Sequence, residues 1–144
     1  MKTRYFAMIL GIGFLAAGIL GFVPRLLTMP EGQPGLLIES GHGNLLGLFP
    51  VNVLHNLVHL IFGIWGVVVW RDFAASRVYS RSVAIIYAVL TVMGLIPGLH
   101  TVFGLVPVHG NDVWLHALIA IAAAYFGYAP IPAVESTGPA LRRP

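Results

Sequence analysis

The stretch Val51-Asn52-Val53-Leu54-His55-Asn56-Leu57-Val58-His59-Leu60-Ile61-Phe62-Gly63-Ile64-Trp65-Gly66-Val67-Val68-Val69-Trp70 decides the fold, and it carries two opposed messages. Its apolar run is long enough to cross a bilayer, for which about 20 residues suffice. Yet Asn52, His55, Asn56 and His59 crowd one end, and polar side chains are costly inside a membrane unless something satisfies them. Asn52, Asn56, His59, Gly63, Gly66 and Trp70 follow a 4-3-4-3-4 spacing, which is one stripe of a helix. His55 stands beside it, one turn above His59. The stripe is polar toward one end and small toward the other.

The rest of the chain agrees with a membrane setting. Of 144 residues, 58% are hydrophobic and 9% charged, against roughly 25% charged in a soluble domain. Mean hydropathy is +0.87. There are too few charges to cover a water-facing surface, so the chain reads as an integral membrane protein. Cysteine is absent, which excludes disulfides, thiolate nucleophiles and Cys-ligated metals. The length allows one domain.

Four spans are predicted, over residues 6–23, 51–70, 80–97 and 112–129. They make an all-α four-helix transmembrane bundle over residues 1–130, followed by a mobile cytoplasmic tail, 131–144. Pro24, Pro50, Pro97 and Pro130 punctuate the spans, and Asn111-Asp112 offers an N-cap for the fourth. The first span exceeds the usual 7–15 residues of a signal-peptide core, so it is expected to remain in the protein.

The basic residues give an orientation. Lys2, Arg4, Arg71, Arg77, Arg81, Arg142 and Arg143 fall on one side and Arg25 on the other. By the positive-inside rule the protein is multi-pass with both termini cytoplasmic. The pI of about 9.7 then reflects topology and anionic lipid rather than nucleic acid. All six histidines fall in the outer half: His42, His55, His59, His100, His109 and His116.

The two halves resemble each other. Gly21-Phe22-Val23-Pro24 ends the first span, and Gly94-Leu95-Ile96-Pro97 ends the third. Gly47-Leu48-Phe49-Pro50-Val51 precedes the second span, and Gly104-Leu105-Val106-Pro107-Val108 precedes the fourth. Continued without gaps, the second alignment sets His55 against Asp112 and His59 against His116. Each half is a helical hairpin, and the pair is related by an axis along the membrane normal. The first outer loop, from Pro24 to Pro50, has 27 residues with four prolines and five glycines. It is predicted to be a lid on the outer surface with a short interfacial helix.

Small residues mark where helices meet: Gly13, Ala17 and Gly21 on the first; Ala84, Ala88 and Thr91 on the third; Ala120, Ala123 and Gly127 on the fourth. In the plainest reading, His–Asn–Asp hydrogen bonds hold the outer half of the bundle together. In a second, His55, His59, Asp112 and His116 ligate a divalent transition metal, their nitrogen and oxygen donors suiting Zn, Fe, Mn or Cu(II). Asn52 and Asn56 would then orient the imidazoles. In a third, His59 and His116 are axial ligands to haem, with Gly63 and Gly66 making room for the ring. Proton transfer or quinone chemistry through the histidines is a further reading. His42 and His109 read as solvated loop residues, and His100 as a helix C-terminal cap. No catalytic motif is present: Gly11-Ile12-Gly13 has no preceding strand and is membrane helix rather than a phosphate loop.

The run His55-Asn56-Leu57-Val58-His59-Leu60-Ile61-Phe62-Gly63, with its Asp112-x-x-x-His116 echo, resembles a group of small four-span bacterial membrane proteins known as a domain of unknown function. They are similar in shape to DoxX-like four-helix membrane proteins. The resemblance runs from Phe6 to Gly127. Where its pattern places an Asn after the Asp, this chain has Val113. It implies a bundle in the bacterial inner membrane and supplies no established reaction. The expected function is a non-enzymatic structural or accessory subunit of a larger membrane assembly, partnered by lipid and by other subunits or copies of itself. The alternative is a metal- or haem-binding redox protein using His55, His59, Asp112 and His116.

Overall fold

Residues 2–29 and 35–130 are described by the computed structural model. Glu31 and the tail, 131–144, lie outside them. Four helices carry the chain: α1 (Lys2–Leu20), α2 (Val53–Val69), α3 (Phe73–Leu95) and α4 (Asn111–Tyr128). α1 and α3 are each long and apolar enough to cross a membrane, and α2 is apolar with 17 residues. The helices present their apolar side chains outward as well as inward. Ile9, Ile61, Val68, Leu118 and Ile121 are each more than 60% exposed.

α3 starts at Phe73 rather than near residue 80, so the connection from α2 is only residues 70–72. The cause is local. Asp72 caps the helix, its Oδ1 accepting from the Ala75 N–H at 2.6 Å. The hydroxyls of Ser76 and Ser80 are absorbed by the Val69 and Ser76 carbonyls. Arg77 and Arg81 donate from Nε to the Gly127 carbonyl at the end of α4, where cations complement the free carbonyls and the dipole. Polar residues ahead of the expected span are therefore the first two turns of the helix. Arg4 does the same for α2, donating to the Trp70 carbonyl at 3.0 Å.

The N-cap of α4 is also displaced from its expected place. Gly110, with φ of 64°, holds that position, and Asn111 and Asp112 form the first turn. Asn111 instead donates from Nδ2 to the Leu48 carbonyl.

α1 packs chiefly on α2 and α3 on α4, with a smaller contact between α1 and α3. The inward face of α1 carries Thr3, Ala7, Gly11, Phe14 and Gly18. Gly13, expected on that face, is exposed, and a Cβ there would meet nothing within 4 Å. The α1–α2 crossing is closed by glycine. A Cβ on Gly11 would lie 2.9 Å from the Gly63 carbonyl oxygen, and one on Gly66 would lie 2.7 Å from that of Ala7. Gly63 and Gly66 thus admit the backbone of α1, and no space is left there for a cofactor ring. On α3, Ala84 is buried and Ala88 exposed; the inward stripe is Ser76, Ser80, Val83 and Tyr87. Phe14, Val83, Tyr87 and Ala123 belong to the shared core.

Among its described residues the first loop holds a 3-10 turn at Pro24–Leu26 and a small sheet, and no interfacial helix. Strands β1 (Leu27–Thr28), β2 (Gly43–Leu45) and β3 (Phe49–Val51) pair antiparallel in that order, with Asn44 opposite Pro50. Proline has no N–H to give a ladder and is tolerated on an edge strand such as β3. The second loop, 96–110, folds against the first. Leu37 and Ile38 both donate their backbone N–H to the Gly104 carbonyl, Leu37 at 2.7 Å. Left-handed backbone recurs in both loops at positions 57 residues apart: Gly41 and Gly98, Leu46 and Phe103, Gly47 and Gly104.

Candidate functional site

Three side chains from two helices meet beneath these loops. His55 comes from the first turn of α2, Asp112 from the first turn of α4, and His116 from the turn after it. All are buried, at 2–3% exposure. One donor atom from each lies within 4.8 Å of the others. Asp112 Oδ2 is 3.6 Å from His116 Nε2 and 3.9 Å from His55 Nε2.

The orientation of His55 is set by the loop before it. Its Nδ1 lies 3.1 Å from the Pro50 carbonyl oxygen. A carbonyl only accepts, so Nδ1 carries the proton. In the neutral ring Nε2 is then a bare lone pair, and it faces a carboxylate oxygen, a second acceptor. With the carboxylate ionised, two acceptors then face each other across 3.9 Å. A backbone carbonyl holding the far nitrogen of an imidazole is also the usual outer support of a metal-ligating histidine. Among the described residues, no side chain hydrogen-bonds to Asp112 Oδ2 or to His116 Nδ1.

His59 lies beside this trio rather than within it. Its ring is 4.5 Å from that of His55, centroid to centroid, and is stacked on Phe14 of α1 at 5.6 Å. Asn52 does not orient an imidazole. Its Oδ1 caps α2 by accepting from the His55 N–H at 2.9 Å. Its Nδ2 donates to the Ile38 carbonyl at 2.9 Å and to the Leu105 carbonyl at 2.8 Å, one from each loop. The residue is fully buried and pins both loops to the top of α2. Asn56 is buried against Gly21 at the end of α1, and its side-chain atoms have no partner among the described residues. The other half repeats that packing: Gly94, at the end of α3, lies against Val113, the position 57 residues after Asn56.

Tyr87 was not anticipated. Its ring meets His116 edge-on at 4.8 Å and stacks on Phe14 at 5.4 Å, so one aromatic joins α1, α3 and α4 at the site. Ser76, Ser80, Tyr87 and Thr91 lie at helical spacing within an apolar run, a signal that would have placed Tyr87 inward. Beside the trio is a cavity of about 210 Å³, lined by His55, His116 and otherwise apolar side chains together with Tyr87. His59 is not part of its wall.

His42 is buried rather than solvated. Its Nδ1 contacts the Val51 carbonyl at 3.2 Å. The His109 ring packs edge-on against His100 at 5.9 Å. Burial lowers the His109 pKa, helped by the neighbouring His100 and His42. His100 accepts from the Gly98 N–H through Nδ1.

A match to a family model spans residues 4–129, taking in every helix and the trio. The chain belongs to the DUF4383 family, a domain of unknown function. No curated protein matches it, and no solved structure does. The DUF4383 match thus covers both loops and all the candidate ligands, and it assigns none of them a role.

Proposed function

We propose that this DUF4383 chain is a membrane-spanning metal protein, in which His55, Asp112 and His116 bind one divalent first-row transition ion. The observation that carries the reading is the pair of acceptors formed by His55 Nε2 and Asp112 Oδ2, with His55 Nδ1 held by Pro50. Two ligand atoms each about 2.1 Å from one ion lie about 3.0–4.2 Å apart as the angle between them opens from 90° to 180°. The 3.6 and 3.9 Å separations fall within that range. Both exceed hydrogen-bond length, so an ion accounts for the trio better than direct bonding between the side chains. Two imidazoles and one carboxylate are the donor set of zinc hydrolases and of non-haem Fe(II) sites, both of which keep a position open.

The membrane setting supports a buried site of this kind. Four helices cross the bilayer as two hairpins, both termini cytoplasmic. Lys2, Arg4, Arg71, Arg77 and Arg81 lie at the end of the helices opposite the trio, where the positive-inside rule places the cytoplasm. The outward apolar faces of all four helices meet lipid rather than water. The shared left-handed positions, and the matched packing of Gly21 on Asn56 and Gly94 on Val113, support a duplicated hairpin. In it His55 and Asp112 are counterparts, and the metal sits between the halves.

Elemental analysis of protein purified from membranes without chelator tests the reading. About one transition-metal ion per chain is expected, and Asp112→Asn should lose it. Metal-free wild-type protein that also fails to take up added zinc would refute it.

A further inference from the structure

The cavity beside the trio is far larger than an ion needs, and its shape and lining select a ligand. It is bounded by Val58 and Phe62 of α2, Ile86 and Leu90 of α3, and Val106 and Val108 of the second loop, and two imidazoles, His55 and His116, stand in its wall. Ile86 is 38% exposed, and Val58 and Leu90 are half-buried. Its mouth therefore lies between α2 and α3, which pack on each other far less than either packs on its hairpin partner. That gap faces the apolar surroundings of the helices. An apolar cavity of roughly 150 Å³ stays dry and accepts benzene. One of about 210 Å³ accommodates a substituted single ring.

The geometry points to a binding site for a small lipid-soluble aromatic ring carrying one oxygen donor, a phenol. The ring enters between α2 and α3 and places its oxygen at the His55–Asp112–His116 centre. This deepens the metal reading and rests on it. Three protein ligands leave a coordination position for a further donor, and the walls give a ring apolar contact on every side except at the imidazoles. Phe62 and Tyr87 supply aromatic faces and edges for the ring to pack against. A fully apolar ligand would leave the open position unused, and a polar one could not cross the lining. Single rings with one donor are the class that satisfies both.

The test is 19F NMR of 4-fluorophenol with the full-length protein in detergent, loaded with zinc or with cobalt. With cobalt, the fluorine line should broaden and shift, and excess unlabelled phenol should restore it. Fluorobenzene, which lacks the oxygen, should bind at least tenfold more weakly. Val58→Trp and Leu90→Trp fill the cavity without touching a ligand, and should abolish the effect while retaining cobalt. If the wild-type protein retains cobalt but the fluorine line is unmoved, or is not displaced by phenol, the ring site is refuted and the metal site stands. If cobalt is not retained at all, the metal reading fails and this inference falls with it.

Discussion

His55 turns Nε2 toward Asp112 Oδ2 across 3.9 Å while its Nδ1 is committed to the Pro50 carbonyl 3.1 Å away. The Pro50 contact fixes the tautomer of the buried ring and leaves Nε2 bare toward Asp112. The loop that precedes α2 therefore sets the ligand geometry on it.

That tautomer is observable. In 15N-histidine-labelled protein, His55 should show a protonated Nδ1 and a bare Nε2 before metal is added. On adding zinc, the Nε2 resonance should move and that of Nδ1 should stay. A ring protonated at Nε2 would contradict the assignment.

Asn52 joins three segments through one amide. Asn52→Ala removes a cap worth about 1 kcal/mol and leaves two part-buried carbonyls without this donor, at about 1 kcal/mol each. A total loss of about 3 kcal/mol is expected in denaturant unfolding. Asn52→Asp keeps the capping oxygen but not the two donations, so it should recover only the first part.

The glycines of α1 and α2 are not equivalent. Gly66→Val drives a side chain into the Ala7 carbonyl and should cost at least the roughly 1–3 kcal/mol of an overpacked core. Gly13→Ala enters open space and should leave the melting temperature unchanged or raise it, since alanine is the better helix former. Equal effects at the two sites would refute the α1–α2 contact described here.

His109 links the loops to pH. Burial, then His100 and His42, holds its folded pKa below the ordinary value. The unfolded chain therefore takes up a proton that the folded loops resist. Stability is full above about pH 6.5, the ordinary histidine value, and falls as pH drops toward the lowered folded value. His109→Gln should flatten that slope in thermal unfolding between pH 7 and 5, and an unchanged slope would show that His109 is not its source.

Much of this was legible in the chain and some was not. The likeness of the two halves in sequence sets His55 against Asp112, and periodicity puts His116 on the same face of α4 as Asp112; the set expected from sequence also held His59, which the trio does not include. His59 shares the spacing of His55, but a helix face is broad. Only the position of α1, through Phe14, decides that His59 turns aside. The glycines of α2 signal close approach without naming the neighbour, and the neighbour is the α1 backbone. The start of α3 lies beyond the apolar run because its arginines and serines find partners only in the Gly127 carbonyl and the helix's own turns. The sheet and the double donation of Asn52 depend on contacts far apart in sequence, such as the 53 residues between Asn52 and Leu105, which local pattern does not encode.

Zinc retention after desalting, measured per chain, separates a metal site from a cluster without an ion. Wild-type protein, and a His42→Ala/His100→Ala/His109→Ala variant that alters only the loop histidines, should each keep about one ion. A His55→Ala/Asp112→Asn/His116→Ala variant, shown to be folded by its helical circular dichroism, should keep none. Equal retention in the last variant, or none in the wild type, would contradict the account.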